Sequence, residues 1–409
     1  MLIFAPHLEL GSIEYDASEA SATGVVSSAT STQGEKEKED DPVETVAHVE
    51  TPDSVRAIYM TTCAASTPSF RQRLTDLLKT TEVNSIVIDI KDYSGGISFP
   101  VNDPELKPAQ GINCFVPDMK EFIEELHEMG VYVIGRITVF QDPFYARRNP
   151  DVAVQRGDGS VWTDGKGLSF TDPSARQVWE YTISLSQESY ALGFDELNYD
   201  YIRFPSDGNM KDIKFPVSGE RAKDVVIEEF FAYLFEKVND PEVFPNGSPA
   251  TSADLFGMVT TNYDHLGIGQ VLERAMPYFD YIAPMVYPSH YPNGFNGWAN
   301  PNHYPYEIIK YTMSRGADRA VATTTSIAFS GAKRIGTSTP AVYEKEVYDK
   351  DKLRPWLQDF DYGGDYGPDE VRAQIQATYD AGLDSWMLWD PGNYYTREAL
   401  KSASSSGGM

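Results

Sequence analysis

The run Glu196-Leu-Asn-Tyr-Asp-Tyr-Ile alternates polar and apolar residues. In a strand, that alternation sets Leu197, Tyr199 and Tyr201 on one face and Glu196, Asn198 and Asp200 on the other. Ser85–Lys91 divides in the same way, with Ile86, Ile88 and Ile90 against Val87, Asp89 and Lys91. A third run places Arg136 and Thr138 opposite Val133, Ile137 and Val139. Acidic groups gathered on one inner face suggest a specific chemistry. Two carboxyls flanking a glycosidic bond can break it, one giving a proton and the other serving as nucleophile or base. Asp200 is the lead candidate for one role; Asp89 and Asp254 are the leading partners, with Asp390 behind them. Lys91, Arg136 and Asn198 would orient substrate or tune Asp200. A structural ion network, Asp89 with Lys91 or Asp200 with Arg136, fits the same pattern, and both readings stay open.

Aromatic residues crowd the same strand ends. An indole or phenol can stack on the C–H face of a sugar ring while neighbouring polar groups bond its hydroxyls. Tyr287, Trp356 and Trp389 are the expected pocket residues, and core packing is the alternative for each. Trp162 sits in the polar, glycine-rich run Gly157–Gly165, where a core role is harder to see, so it joins the substrate-binding candidates. No metal or cofactor is expected: the six histidines are scattered, with no H-E-x-x-H or H-x-H. A serine-hydrolase elbow G-x-S-x-G is also missing.

These residues need elements to position them. Short β-branched or aromatic runs alternate with amphipathic, helix-length runs from Val55 to Leu400. Expected strands are Val55–Thr62, Ser85–Lys91, Tyr132–Phe140, Glu196–Phe204, Ala253–Met258, Tyr281–Tyr287, Leu353–Phe360 and Ser385–Asp390. Eight strands with helices between them predict a (β/α)8 TIM barrel with long loops, whose active site opens at the strand C-terminal ends. A doubly wound sheet is the rival, weakened by the lack of any phosphate-binding glycine loop after an early strand. Ala317–Val347 is the least regular stretch, an extension of the sixth helix or an inserted lid.

Residues 1–52 read as a disordered linker, 53–401 as the barrel and 402–409 as a flexible tail. The linker holds Ser, Thr, Ala and Gly and then the charged run Glu35–Asp41, with too little apolar surface to offset the entropy of ordering. It would serve as a tether or be merely a loose terminus. The chain has 409 residues, 41 % hydrophobic and 12 % aromatic, so most of it should be globular. Its 34 Lys and Arg against 61 Asp and Glu leave a net charge of −27, which argues against nucleic acid and favours a neutral or cationic substrate. No stretch approaches the ~20 apolar residues of a membrane span. Met1–Pro6 is apolar but short for a signal-peptide core and lacks a basic lead, so cytoplasm and export both stay open. Cys63 and Cys114 could pair, but two buried free thiols are the favoured reading.

Four motifs in order, Ile86–Asp92, Gly193–Pro205, Asp280–His290 and Arg354–Phe360, resemble a bacterial family of glycoside hydrolase domains, TIM barrels largely of unknown substrate. The resemblance spans about Val55 to Leu400 and implies a carbohydrate substrate and export to the cell envelope or beyond. A more distant likeness is to chitinase-type barrels, which carry D-x-x-D-x-D-x-E on the fourth strand. The comparable positions here are Asp195, Asn198, Asp200 and Ile202, so the acid position is apolar and chitinase-type chemistry by the same residues is not expected. The leading expectation is hydrolysis of a bacterial envelope or matrix polysaccharide. The alternative is a non-catalytic glycan-binding or scaffolding barrel, and a sugar-phosphate lyase or isomerase ranks last.

Overall fold

The computed structural model describes residues 46–403. Eight parallel strands close into a barrel: β1 (Arg56–Met60), β2 (Ser85–Lys91), β3 (Tyr132–Thr138), β4 (Glu196–Asp200), β5 (Ala250–Phe256), β6 (Tyr281–Met285), β7 (Trp356–Gln358) and β8 (Trp386–Trp389). Each pairs with its neighbours in chain order, and β8 returns to β1 through Arg56 and Trp386. All eight expected strands are present, most of them shorter at one end or both than the sequence suggests.

Alternation along these strands makes two cores. Ile86, Ile88 and Ile90 of β2 and Leu197 and Tyr199 of β4 face outward, under the helices. The inner face carries Val55, Ala57 and Tyr59 beside Val87, Ile134, Ala283 and Trp356. Long helices cover the outside, among them Pro68–Thr80, Met119–Glu128, Arg176–Leu192, Lys223–Val238, Pro305–Val321 and Pro368–Asp380. Gly193 ends one of them at φ +126°, a conformation that favours glycine, and its N–H closes the last turn on Ser189 and Tyr190.

Polar groups inside the barrel form layers. At the lower end Arg354 reaches Glu196 at 2.7 Å, and the Tyr132 hydroxyl donates to the same carboxylate oxygen. The described part of the expected linker lies here: Val49 N–H donates to Asp195 at 2.8 Å, and Thr51 meets the Tyr132 hydroxyl at 2.9 Å. The rest of that linker, 1–45, and the tail from 404 onward lie outside the described residues.

Three expectations change. Ala317–Val347 splits: the helix Pro305–Val321 takes its first residues, and a small antiparallel sheet joins Thr324–Thr325, Val342–Glu344 and Arg334–Ile335. Cys63 and Cys114 form a disulfide with Cα atoms 5.0 Å apart, not two free thiols. They follow β1 and β2, adjacent parallel strands whose exits bring the two loops together, and both are half-buried rather than in the core. Finally, the register of β2 against β3 shifts between Asp89 and Lys91, a bulge that re-aims the second side chain. No helix among the described residues is long and apolar enough to cross a membrane.

Candidate active site

The upper layer of the barrel is organised by one guanidinium. Arg136 leaves β3 with its side chain 15 % exposed, and its Nη1 donates to Asp89 at 2.7 Å. Its Nε donates to Asp200 Oδ2 at 3.1 Å, and its Nη2 donates to the same oxygen. The same Nε lies 3.8 Å from Asp254 Oδ2. Two carboxylate oxygens sharing one nitrogen at those distances cannot be more than about 7 Å apart, so both acids can reach one bond.

Neighbouring strands hold each acid. Asp200 ends β4, and the chain turns at once: Tyr201 has φ +53°, rare for a residue with a side chain, and its N–H donates back to Asp200 Oδ1 at 2.5 Å. This turn also carries Tyr201 away from the helix side that strict alternation predicts, and into the wall of the cavity. Asp254 Oδ1 accepts from Asn198 on β4 at 2.9 Å and from the Trp356 indole on β7 at 2.7 Å. Asp89 accepts from the Tyr59 hydroxyl of β1 at 2.5 Å.

Burial and charge separate these acids. Burial, reinforced by the Asp200 charge, pushes Asp254 up from 3.8 to about 8. Burial also lifts Asp89 to about 6, against the pull of Arg136 and the Tyr59 hydroxyl. Burial thus keeps a proton on Asp254 at neutral pH, next to Asp200, which is ion-paired to Arg136. That is the arrangement acid–base cleavage needs.

A cavity of about 270 Å³ opens over the pair. Asp200 and Asp254 both line it, with Arg136, Tyr287, Trp356 and Trp389. Tyr287 and Trp389 pack with ring centres 5.1 Å apart, and Phe360 braces Trp389 from the side. The sequence expectations for Asp200, Asp254, Arg136, Tyr287, Trp356 and Trp389 thus meet in one place. Asn198 touches Asp254 from below, and Asp89 sits behind Arg136 rather than on the cavity wall.

Other candidates lie elsewhere. The β2 bulge turns Lys91 outward, where it pairs with Asp142 at 2.7 Å and lies 5.3 Å from the Tyr181 ring of a surrounding helix. Asp390 folds into its own loop, accepting from Tyr394 N–H, and does not reach the cavity. Trp162 is fully buried beside Val154 and Phe170, its indole donating to the Asn209 carbonyl at 3.1 Å; it supports Tyr201 rather than the cavity surface. Three further acids beyond strand ends serve their loops: Asp142 caps the helix Pro143–Arg148, Asp92 closes the turn at Ser94, and Asp359 holds Thr396. Sequence reasoning passed over Tyr59 and Arg203, which line or support the site, and read His290, which also lines it, as a loop residue. Tyr59 was within reach, since it shares the inner face of β1 with Ala57. Among the described residues no group of three or more His, Cys, Asp or Glu could hold a metal ion.

Residues 57–395 match a family described as "Putative glycosyl hydrolase domain" (DUF4015). No curated protein matches the chain. The glycoside hydrolase domain of PgaB (BpsB) from Bordetella bronchiseptica is similar over 86 % of this chain and 100 % of that one, with TM-score 0.56 and 13 % identity. Alpha-L-fucosidase isoenzyme 2 from Paenibacillus thiaminolyticus is similar over 85 % of this chain and 48 % of that one, with TM-score 0.51 and 15 % identity. At these identities the likeness establishes the (β/α)8 fold. A hypothetical protein from Ruminiclostridium thermocellum is 30 % identical over 47 % of this chain and 96 % of that one, with TM-score 0.41.

Proposed function

Because the chain belongs to the glycosyl hydrolase domain family DUF4015, we propose that it hydrolyses a glycosidic bond, with Asp254 as general acid and Asp200 as nucleophile or base. The observation that carries the reading is the Asp200–Asp254 pair, joined through Arg136 Nε in an aromatic-lined cavity. A sugar ring stacks against the Trp389 and Tyr287 faces, which sets the bond over the two carboxyls. The protonated Asp254 carboxyl gives its proton to the leaving oxygen as the C–O bond breaks. The Asp200 carboxylate meets the developing positive charge at the anomeric carbon, either directly or through a water it activates. Arg136 fixes the Asp200 carboxylate in place.

The acid that chitinase-type barrels carry two residues beyond the last strand aspartate is Ile202 here, fully buried. Asp254, one strand over, takes that role, so the apolar residue does not argue against turnover. The substrate class is a polysaccharide of the bacterial envelope or matrix. The Cys63–Cys114 disulfide supports action in an oxidising setting, at the cell envelope or outside the cell. The spacer-like composition before Val46 supports a tether to that surface.

Reducing-end release from a panel of bacterial polysaccharides tests this reading. The intact protein should cleave at least one member, and Asp200→Asn should lower that rate by about 10³-fold or more with the fold intact by circular dichroism. Full activity in the variant, or binding of glycans with no release by the intact protein, would leave a sugar-holding barrel as the better account.

A further inference from the structure

Three arginines among the described residues are less than a tenth exposed, and two of them meet a carboxylate: Arg319 with Glu273 and Arg354 with Glu196. Arg203, 7 % exposed, has no acidic partner among the described residues. Its Nη1 donates to the Phe204 carbonyl at 3.0 Å and to the Ser206 hydroxyl at 3.2 Å. Its Nε and Nη2 have no hydrogen-bond partner there, yet neither is sealed from solvent. The guanidinium carbon lies 4.8 Å from the Phe256 ring centre, 5.0 Å from Tyr201 and 5.8 Å from Phe170. These rings hold the group in place and offset part of its desolvation, but they cannot accept its in-plane hydrogens.

Arg203 lines the same cavity as Asp200 and Asp254. None of the site's three acids meets this guanidinium; each lies against Arg136. Arg136 engages Asp200 and Asp89, and Asp254 holds its proton to about pH 8. A buried guanidinium whose open donors meet no carboxylate of the chain is completed by an acceptor from outside, best an oxyanion. The overall charge of −27 acts at long range and is screened; the unpaired guanidinium acts at contact.

We propose that Arg203 makes this site selective for glycans whose sugars carry an oxyanion, a uronate carboxylate or a sulfate ester, held by the guanidinium fork beside the bond to be cut. The proposal rests on the glycan-cleaving reading of the cavity and specifies its substrate class. It also replaces the neutral or cationic substrate that net charge alone favours.

Calorimetric titration of the Asp254→Asn chain tests it, because that variant blocks turnover while keeping the neutral-pH charge of the site. The probes are oligosaccharides of polygalacturonate and hyaluronan with their carboxyl-reduced forms, and of carrageenan with its desulfated form. At least one acidic probe should bind about tenfold or more tightly than its neutral counterpart. Adding Arg203→Met should erase that preference, and Arg203→Lys should restore part of it. The uronate and sulfate pairs show which oxyanion is read. Equal binding of acidic and neutral forms, binding of neutral forms alone, or no binding of any acidic probe would overturn the assignment. If Arg203→Met fails to fold, the acidic-versus-neutral comparison on intact Arg203 still decides. Cleavage of a neutral glycan indifferent to Arg203 would remove the selectivity and leave the hydrolase. A clear acidic preference without any cleavage would do the reverse.

Discussion

Asp254→Asn should reduce kcat on a polysaccharide by about 10²–10⁴-fold while the chain stays folded. The side chains are the same size, and an asparagine carbonyl can still accept from Asn198 and Trp356 as Asp254 Oδ1 does. Only the transferable proton is lost. An aryl glycoside with an acidic phenol as leaving group needs little protonation, so its cleavage should suffer far less than that of the polysaccharide. Equal losses on both substrates would argue against a general acid at this position. The same substitution should also change how stability depends on pH. Folding raises the proton affinity of Asp254, so between about pH 4 and pH 8 the folded chain holds a proton the unfolded chain has released. That contribution is present in full below pH 4 and fades as the pH climbs through 8. Thermal melts should therefore fall less steeply with pH in the variant across this window.

Arg136→Met should cost about 3–5 kcal/mol of stability at pH 7 and abolish turnover, because it strands buried Asp200 and Asp89 without their shared cation. Asp254, 3.8 Å from the same guanidinium, is protonated at pH 7 and adds little to this deficit. The deficit has a sign that can be read. Stranded carboxylates can relieve it by taking up protons, so the gap to the native chain should narrow from pH 7 to pH 5. Urea unfolding at the two pH values measures this. A gap of under about 1 kcal/mol at pH 7, or one that widens in acid, would mean that Arg136 does not bear this charge.

Much of this site was legible from strand alternation. Polar residues at every second position of β4, and at Arg136 and Thr138 of β3, can be buried only if they meet polar neighbours, and that rule found Asp200, Asn198 and Arg136. The aromatics at strand exits followed from the barrel architecture, and Tyr287, Trp356 and Trp389 do line the cavity. Alternation failed where the backbone departs from a regular strand. One inserted residue in β2 turned Lys91 from the inner face to the outer, and nothing in Ile88-Asp-Ile-Lys91 announces a bulge. The left-handed Tyr201 is a similar case, since strand periodicity ends at Asp200.

Long-range pairings were the other limit. Asp254 owes its place in the site to Trp356, 102 positions away, and to Asn198. Its sequence neighbours alone did not separate it from Asp390, whose carboxylate turns into its own loop. The disulfide is of this kind too: Cys63 and Cys114 look unrelated until adjacent strands bring their exit loops together. Arg203 lies inside the Gly193–Pro205 motif, but its missing partner is a fact of three dimensions.

The protonation state of Asp254 is open to direct measurement without any knowledge of the sugar. Carbon-13 NMR of the chain labelled at aspartate carboxyls, with Asp254→Asn to assign the resonance, follows its titration. Asp254 should take up its proton near pH 8, and Asp200→Asn should move that midpoint downward by removing the neighbouring charge. A midpoint near the ordinary 3.8, unmoved by Asp200→Asn, would mean that the cavity holds no acid at neutral pH and that the hydrolase account is wrong.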